Sequence, residues 1–554
     1  MKRLGTSALV GTFLLGGLAW LSPRESAGSR SAGRTGYLVC DQRGRPCLSI
    51  DGAPRIRLHP HSTGLSREEL LSILPPVAGL RLEDQEGQYH REASTPDSAS
   101  EFLETRGYPY VKGWPVTAPS ISEYGISGSA KFADLDGDDD LEVILGCMDG
   151  KVYAWHHTGK LVANWPFTTA SYIVTAPAVG DLDKDGFPEV VVASNDGLLY
   201  VLDQNAHVRT GWPKLVDERI PHQGGADSQS SPVLADIDSD SYLDIVFSSH
   251  MYDCVFVFNR NGERVRGWPR KFAPHEFNPS DTAVGDVDRD GRLEVAVGVM
   301  YPGDIIDEHY NRIHLWRSNG SPMKGWPVTL EKHYWSWITT VVIGDVNGDG
   351  YPDIAARDVK NVYVLDRYGK MLQGWPYTWM RGDLVPHTLC LANFDSSPDL
   401  EVVASNWDGI YLLDGDGSTL EGFPALVEYP IMPAVADIDG DGQNEIVAGR
   451  YYPRRGLYAW NSGGTKVAGF PLRTRATMYS TPLICDIDRD GDVDIGIGDY
   501  GRRLSKEHFF YMWDLPFAYN PQMTEWPTHD RDAYNSGFYP PQEGLSAVGD
   551  RGPR

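Results

Sequence analysis

Cysteine is scarce in this chain. Six in 554 residues are too few for a small disulfide-stapled scaffold. Cys40 and Cys47 flank "DQRGRP" and are placed to pair across a hairpin, while Cys147, Cys254, Cys390 and Cys485 stand in apolar contexts and read as small buried hydrophobes. Positive charge is also short: 50 Lys and Arg face 76 Asp and Glu, a formal charge of −26. That balance excludes a nucleic-acid partner, because phosphate binding needs the opposite sign. Long apolar runs are missing after the first, Leu4 to Leu21, which follows Lys2 and Arg3. Residues 1–31 therefore read as an export leader or, uncleaved, as an N-terminal anchor, the membrane contact expected of this chain. The expected location is periplasmic, cell-surface or secreted. Helical patterning is sparse; "SREELLSIL" (66–74), with a Ser cap and acids in its first turn, is the one short helix expected. Nucleophile and metalloprotease signatures (G-x-S-x-G, C-x-x-C, H-E-x-x-H) are missing, and "HPH" at 59–61 reads as a loop coincidence, so no catalytic residue is assigned.

Glycine (59) and proline (38) are abundant, and aromatics reach 11%, a mixture suited to short strands and turns. An acidic nonapeptide, as in "DVNGDGYPD" (345–353), begins at Asp134, Asp181, Asp236, Asp286, Asp345, Asn393, Asp437 and Asp486, at steps of 44 to 59 residues. Each copy follows a short apolar stretch ("TAPAVG", "TTVVIG"). Each precedes an alternating run ("EVVVAS"), a second strand-like run ("LLYVLD", "NVYVLD"), a Gly/Asn turn and a closing Trp-Pro or Phe-Pro. Four antiparallel strands in about 50 residues is one propeller blade. The expected fold is all-β: a β-propeller of eight four-stranded antiparallel blades, with seven as the alternative. It spans 107–540, after a non-repeat region at 32–106 and before a disordered tail at 541–554. Closing Trp/Phe-Pro pairs number nine (Trp114, Trp165, Trp212, Trp268, Trp326, Trp375, Phe423, Phe470, Trp526) against eight acidic turns. Either the Trp114 segment or the Trp526 segment completes the last blade.

In a chain curling round a point, alternate side chains face inward. Positions 1, 3 and 5 then converge, position 7 offers its carbonyl, position 9 returns a carboxylate, and Gly at position 6 supplies φ > 0. A hard divalent cation wants that oxygen cage, and calcium tolerates its irregular geometry. The candidate metal ligands are Asp134, Asp136, Asp138 and Glu142; Asp181, Asp183, Asp185 and Glu189; Asp236, Asp238, Asp240 and Asp244; and Asp286, Asp288, Asp290 and Glu294. They continue with Asp345, Asn347, Asp349 and Asp353; Asp437, Asp439, Asp441 and Glu445; and Asp486, Asp488, Asp490 and Asp494. Turn six, "NFDSSPDLE" from Asn393 to Glu401, is degenerate, so about seven Ca2+ sites are expected. Eight such ions would bring the formal charge to about −10.

"VGDLDKDGFPEVVVAS" and "VADIDGDGQNEIVAG" resemble FG-GAP (VCBS-type) repeats, the calcium-loop blades of integrin α-subunit propellers and of many secreted bacterial proteins. The likeness covers about 108 to 540, departs at turn six and shows no clear Phe-Gly before each strand. It implies a propeller with calcium between the first two strands of each blade, and a role in adhesion or ligand binding. The third-strand pattern ("KVYAWHHTGKLVANW") also resembles quinone-dependent dehydrogenase blades, but those have no acidic turn.

Strand parity puts the blade-to-blade and second-to-third-strand loops on the face opposite the acidic turns. Those loops gather the candidate ligand-binding residues Tyr172, His222, His333, Trp335, Trp337, Trp379, Arg381, His387, Tyr452, Arg454 and Tyr479, types enriched at binding hot spots and able to stack on sugars. "RGD" at Arg381–Asp383 is short enough to be chance. The expected partner is a protein or glycan on this face. The alternative is a calcium-dependent polysaccharide lyase working from the same face with a basic side chain.

Overall fold

The computed structural model describes residues 10–14, 17–21, 35–40, 46–51, 55–57, 81–83, 107–119, 125–216, 230–249, 253–274, 276, 279–302, 309–330, 338–379, 388–395, 397–451, 455–500 and 507–540. The chain divides into two compact units, 1–104 and 105–554. In the first, six short strands form one sheet. Thr35–Cys40 and Pro46–Asp51 pair antiparallel within it, with Cys40 opposite Pro46. Val10–Leu14 and Gly17–Leu21, from the segment read as a leader, are two more of its strands. The helix expected at 66–74, "HPH" and the tail from 541 lie outside the described residues.

The second unit is an eight-bladed β-propeller. Blade 1 sets the pattern. Lys131–Ala133 lies innermost, followed outward by Glu142–Gly146, Lys151–His156 and Phe167–Thr168. The innermost strands of blades 2 to 8 are Ala178–Gly180, Val233–Ala235, Thr282–Gly285, Thr340–Gly344, Leu389–Ala392, Pro430–Ala436 and Leu483–Cys485. Second strands such as Glu189–Ala193 (EVVVA) are buried at every residue because each blade is covered on both faces by its neighbours. In blade 7 the outermost strand shrinks to the Leu457–Leu472 bridge. Blade 8 takes its outer strand, Val116–Pro119, from the N-terminal side of the repeats, against Glu507–Ala518. The Trp114 segment thus closes the ring, and the described blades keep only short outer edges such as Phe167–Thr168. Cys147, Cys254, Cys390 and Cys485 are buried free thiols.

The Trp-Pro repeat has a mechanical role. The indole Nε1 of Trp114, Trp165, Trp212, Trp268, Trp326 and Trp375 donates to a carbonyl in the third-to-fourth-strand turn of the following blade: His157, Gln204, Arg260, Ser318, Arg367 and Gly415 respectively. Those bonds span 2.6 to 3.1 Å. Each Trp is a peg into its neighbour, and the first, from blade 8 into blade 1, spans the closure.

The ninth pair does something else. Trp526 is buried in the middle of the ring, and the segment 523–539 runs along the innermost strands. It bonds Val435 and Asp437 in blade 7, Ile484 in blade 8, Val179 in blade 2, Leu234 in blade 3, Val284 in blade 4 and Ile343 in blade 5 through backbone groups. Thr528 donates to the Ala130 carbonyl in blade 1, and Glu525 accepts the Asn393 amide of blade 6. A single strap therefore touches every blade and satisfies inner-strand N–H groups that would otherwise face the channel.

Candidate functional site

The acidic turns fold alike because the same two carboxylates do the same work in each. At position 9, one oxygen accepts the position-2 amide in all eight: Leu135 to Glu142, Leu182 to Glu189, Ile237 to Asp244, Val287 to Glu294, Val346 to Asp353, Phe394 to Glu401, Ile438 to Glu445 and Ile487 to Asp494. At position 1, Asp134, Asp181, Asp236, Asp286, Asp345, Asp437 and Asp486 accept the position-6 amide. Position 6 has positive φ in those seven turns, even where Asp139 (75°) and Ser241 (72°) replace Gly. Turn six breaks the pattern as expected. Pro398 follows Ser397 there, and Asn393 turns its own amide to the Ser397 carbonyl.

Acidic atoms from positions 1, 3, 5 and 9 converge. Donor atoms of Asp134, Asp136 and Asp138, of Asp181, Asp183 and Glu189, and of Asp236, Asp238 and Asp244 lie within 4.8 Å of one another. Six buried carboxylate oxygens in these turns have no hydrogen-bond partner: Asp288 Oδ1, Glu294 Oε1, Glu401 Oε1, Asp439 Oδ1, Glu445 Oε1 and Asp486 Oδ1. Burial first, then the field of neighbouring acids, pushes the position-9 carboxyls upward. Glu142, Asp353, Glu401, Glu445 and Asp494 reach about 8, and Asp244 and Glu294 about 7. Buried oxygens left unpaired inside a like-charged cluster are costly, and a cation is the group that fits them.

On the opposite face, Tyr479 is half-buried and stacks on Tyr500 at 4.8 Å, with Tyr451 5.4 Å from Tyr479. The three rings come from the ends of blades 7 and 8, and form an aromatic platform. Tyr172 is partly exposed in the blade 1-to-2 loop, where its carbonyl accepts the Asn195 amide. Trp379 lies at this end of blade 5, its amide bonded to the Lys360 carbonyl, but it offers no surface to a ligand: it is 2% exposed, packed against Tyr377 and Tyr411 with the Arg357 guanidinium 4.5 Å over its ring. Burial between blades 5 and 6 makes it core. His222, His333, Trp335, Trp337, Arg381, His387, Tyr452 and Arg454 lie outside the described residues. Tyr451 and Tyr500 were not singled out in the sequence, although each sits in a loop that parity assigns to this face.

A second charged cluster lies in the channel. Lys131 is fully buried and donates to the carbonyls of His529 and Asp532 at 2.5 Å. His529 Nε2 lies 3.1 Å from Asp281 and 3.2 Å from Asp530. Burial lowers Lys131 to about 8 and raises Asp530 to about 7, while Asp530 and Asp281 outweigh burial and raise His529. These residues tie the strap to blades 1 and 4. No sequence pattern points to them, because Lys131 sits in an ordinary strand start. Among the described residues, no helix is long and apolar enough to cross a membrane.

Residues 134–192, 236–297 and 437–497 match the FG-GAP-like repeat, and residues 337–365 match the FG-GAP repeat. Among curated proteins, the rhamnogalacturonan endolyase YesW of Bacillus subtilis (strain 168) is 22% identical over 267 residues. That alignment covers 42% of this chain and 39% of the enzyme, so the chain spans well under half the length of the relative it matches. Among solved structures, the V. cholerae biofilm matrix protein Bap1 is 13% identical with a TM-score of 0.42, covering 76% of this chain and 92% of that one. The quinohemoprotein alcohol dehydrogenase of Comamonas testosteroni is 12% identical with a TM-score of 0.47, covering 77% and 78%.

Proposed function

This chain is an FG-GAP-type repeat propeller, and we propose that it is an exported calcium-binding module that holds a glycan or protein ligand on the face opposite its acidic turns. Five buried, unpartnered carboxylate oxygens in the complete turns of blades 4, 7 and 8, on Asp288, Glu294, Asp439, Glu445 and Asp486, carry the calcium part of this reading. The donor set is all oxygen and bent around a Gly-type position 6, which suits calcium better than magnesium with its strict octahedron. Positions 1, 3, 5 and 9 and the position-7 carbonyl would hold the ion. Its contribution is charge compensation that lets the first two strands of a blade leave one turn together. The aromatic platform of Tyr451, Tyr479 and Tyr500 supports the ligand part, since flat, half-buried rings suit sugar faces and interface anchors.

The test has two arms. Chelation with EDTA lowers the melting temperature and calcium restores it; an unchanged melting temperature sinks the calcium part. Binding to an array of acidic and neutral glycans falls when Tyr479 and Tyr500 become Ala. Unaltered binding in that double variant removes the platform from the ligand site.

A second reading is a polysaccharide lyase, favoured by the likeness to a rhamnogalacturonan endolyase. It calls for a base on the same face that takes the proton next to a uronate carboxyl. Rising ultraviolet absorbance from an unsaturated uronide, on incubation with rhamnogalacturonan, would decide for it over a pure binding module.

A further inference from the structure

Blade 2 departs from the other acidic turns. The backbone position two residues past the third-to-fourth-strand turn carries an N–H that bonds back to the third strand in blades 1 to 7. It is Val162 to Ala154, Arg209 to Val201, Val265 to Val257, Met323 to Leu315, Leu372 to Val364, Leu420 to Leu412 and Val467 to Ala459. Six of these seven residues are apolar and pack inward or against the core. The seventh is Arg209, on the blade whose turn carries a full set of acids, Asp181, Asp183, Asp185 and Glu189.

The Arg209 side chain goes into that turn. Its Nη1 donates to Glu189 Oε1 and its Nη2 to Asp183 Oδ2. Glu189 Oε1 is the counterpart of the oxygens left without partners in Glu294, Glu401 and Glu445. No oxygen of Asp181, Asp183, Asp185 or Glu189 is among the buried unpartnered atoms, and the same holds in blades 1, 3 and 5, so it is the guanidinium bonded to positions 3 and 9 together that sets blade 2 apart. A planar guanidinium fork spans two carboxylates with matched geometry, and it cannot be deprotonated away. Other turns have basic neighbours that do less. Arg317 reaches Asp288 Oδ2 at 3.0 Å, yet Asp288 Oδ1 and Glu294 Oε1 stay unpartnered. His156 lies 3.0 Å from Glu142 and 3.8 Å from Asp136 in blade 1, an imidazole with one contact of hydrogen-bond length.

We propose that Arg209 takes the place of the divalent cation in blade 2, so that this turn is built and held without metal while the complete turns of other blades depend on it. The proposal rests on the calcium reading above for those other turns. Two positive charges brought beside a guanidinium that already bonds positions 3 and 9 would meet repulsion and no free oxygen at either. Blade 2 then serves as a fixed reference in a ring of metal-dependent hairpins.

Calcium bound per full-length chain, counted by equilibrium dialysis after metal stripping, tests it. The pair Asp183→Asn and Glu189→Gln leaves the count unchanged. The matching pair in blade 7, Asp439→Asn and Glu445→Gln, lowers it by one. Arg209→Leu raises it by one. A count that falls by one in the blade 2 pair, with Arg209→Leu unchanged, overturns the proposal. Hydrogen exchange of the wild type in EDTA is the second measurement and needs no variant to fold. Residues 181–189 stay protected while 437–445 exchange faster, and equal loss of protection in both overturns the assignment. Should the wild type bind no calcium at all, the calcium reading falls and the replacement of a cation by Arg209 falls with it, an outcome distinct from a count that drops by one in the blade 2 pair.

Discussion

Gly374→Ala separates the packing of blade on blade from the strain of the backbone. Gly374 precedes the Trp375 peg at φ 92°, in the left-handed region that favours glycine. A Cβ there would lie 1.7 Å from the Asp416 carbonyl oxygen and 2.7 Å from its carbon, backbone atoms of blade 6 with no rotamer to escape into. Left-handed backbone costs an L-residue about 1–2 kcal/mol. Overpacking a fitted contact costs about 1–3 kcal/mol more. The expected loss is therefore about 2–5 kcal/mol. Two glycines isolate the parts. Gly186 has φ 96°, but an added Cβ would meet nothing within 4 Å, so Gly186→Ala is expected to lose about 1–2 kcal/mol. Gly463 has no positive φ, and its nearest neighbour is Asn461 Oδ1 at 3.6 Å, so Gly463→Ala changes stability by less than about 0.5 kcal/mol. Urea midpoints by tryptophan fluorescence, all in EDTA so that no cation contributes to the comparison, give the three values. Equal losses for Gly374→Ala and Gly186→Ala would refute the claim that adjacent blades are seated through this glycine.

Trp268→Phe keeps an aromatic ring but removes the 2.8 Å bond to the Ser318 carbonyl and part of the buried indole, and is expected to cost at least about 1 kcal/mol of stability by urea titration. Without metal, the protein is expected to lose stability as pH rises. The position-9 carboxyls of Glu142, Asp353, Glu401, Glu445 and Asp494 hold protons up to about 8 when folded, whereas an unfolded chain releases them near about 4, so the folded state binds more protons between those values. Melting temperature in EDTA should fall from pH 5 toward pH 8, and a rise over that interval would contradict the burial of these groups. Ending the chain before Trp526 uncovers inner-strand amides in blades 2, 3, 4, 5, 7 and 8, and the truncated protein is expected to melt lower and to exchange Val179, Leu234, Val284 and Ile343 amides faster.

The repeat made the propeller readable because each blade restates the same acids, glycines and aromatic at the same offsets. Turn six was readable as defective for the same reason, since Ser397 and Pro398 stand where the other turns place an acid and a glycine-type residue. Counting nine aromatic-proline pairs exposed a surplus but left two ways to place it, because Trp114 and Trp526 look alike in a string. The difference is in what surrounds them: Trp114 is followed by a strand that pairs with Glu507–Ala518, while the strap after Trp526 has no alternation that marks a strand. Irregular segments whose partners lie as far as 398 residues away leave no local trace, and so Lys131 and His529 were invisible as a pair. Trp379 was misplaced for the opposite reason. Its loop belongs to the ligand face by parity, but the residue itself turns inward against Arg357 and Tyr411. Arg209 carries no mark in the sequence; it stands out only against the six apolar residues at the matching backbone position of other blades.

Ring closure and the acidic turns fall on different parts of this fold, and on the proposed calcium reading that separation sets what metal removal can do. The Val116–Pro119 strand, six indole pegs and the strap hold blade to blade through backbone carbonyls and amides, none of which belongs to an acidic position of a metal turn save Asn393 and Asp437. The acidic turns join only the first two strands within a blade. Stripping cations therefore frays the hairpins one by one, at the face where the turns lie, while the closed circle persists. The proposed ligand surface on the far side, with Tyr451, Tyr479 and Tyr500, would stay assembled until the hairpins of blades 7 and 8 give way. Ligand affinity should then fall with loss of metal from those two blades and stay insensitive to acidic-turn variants in blades 2 to 4, a pattern that a single global unfolding step would not produce.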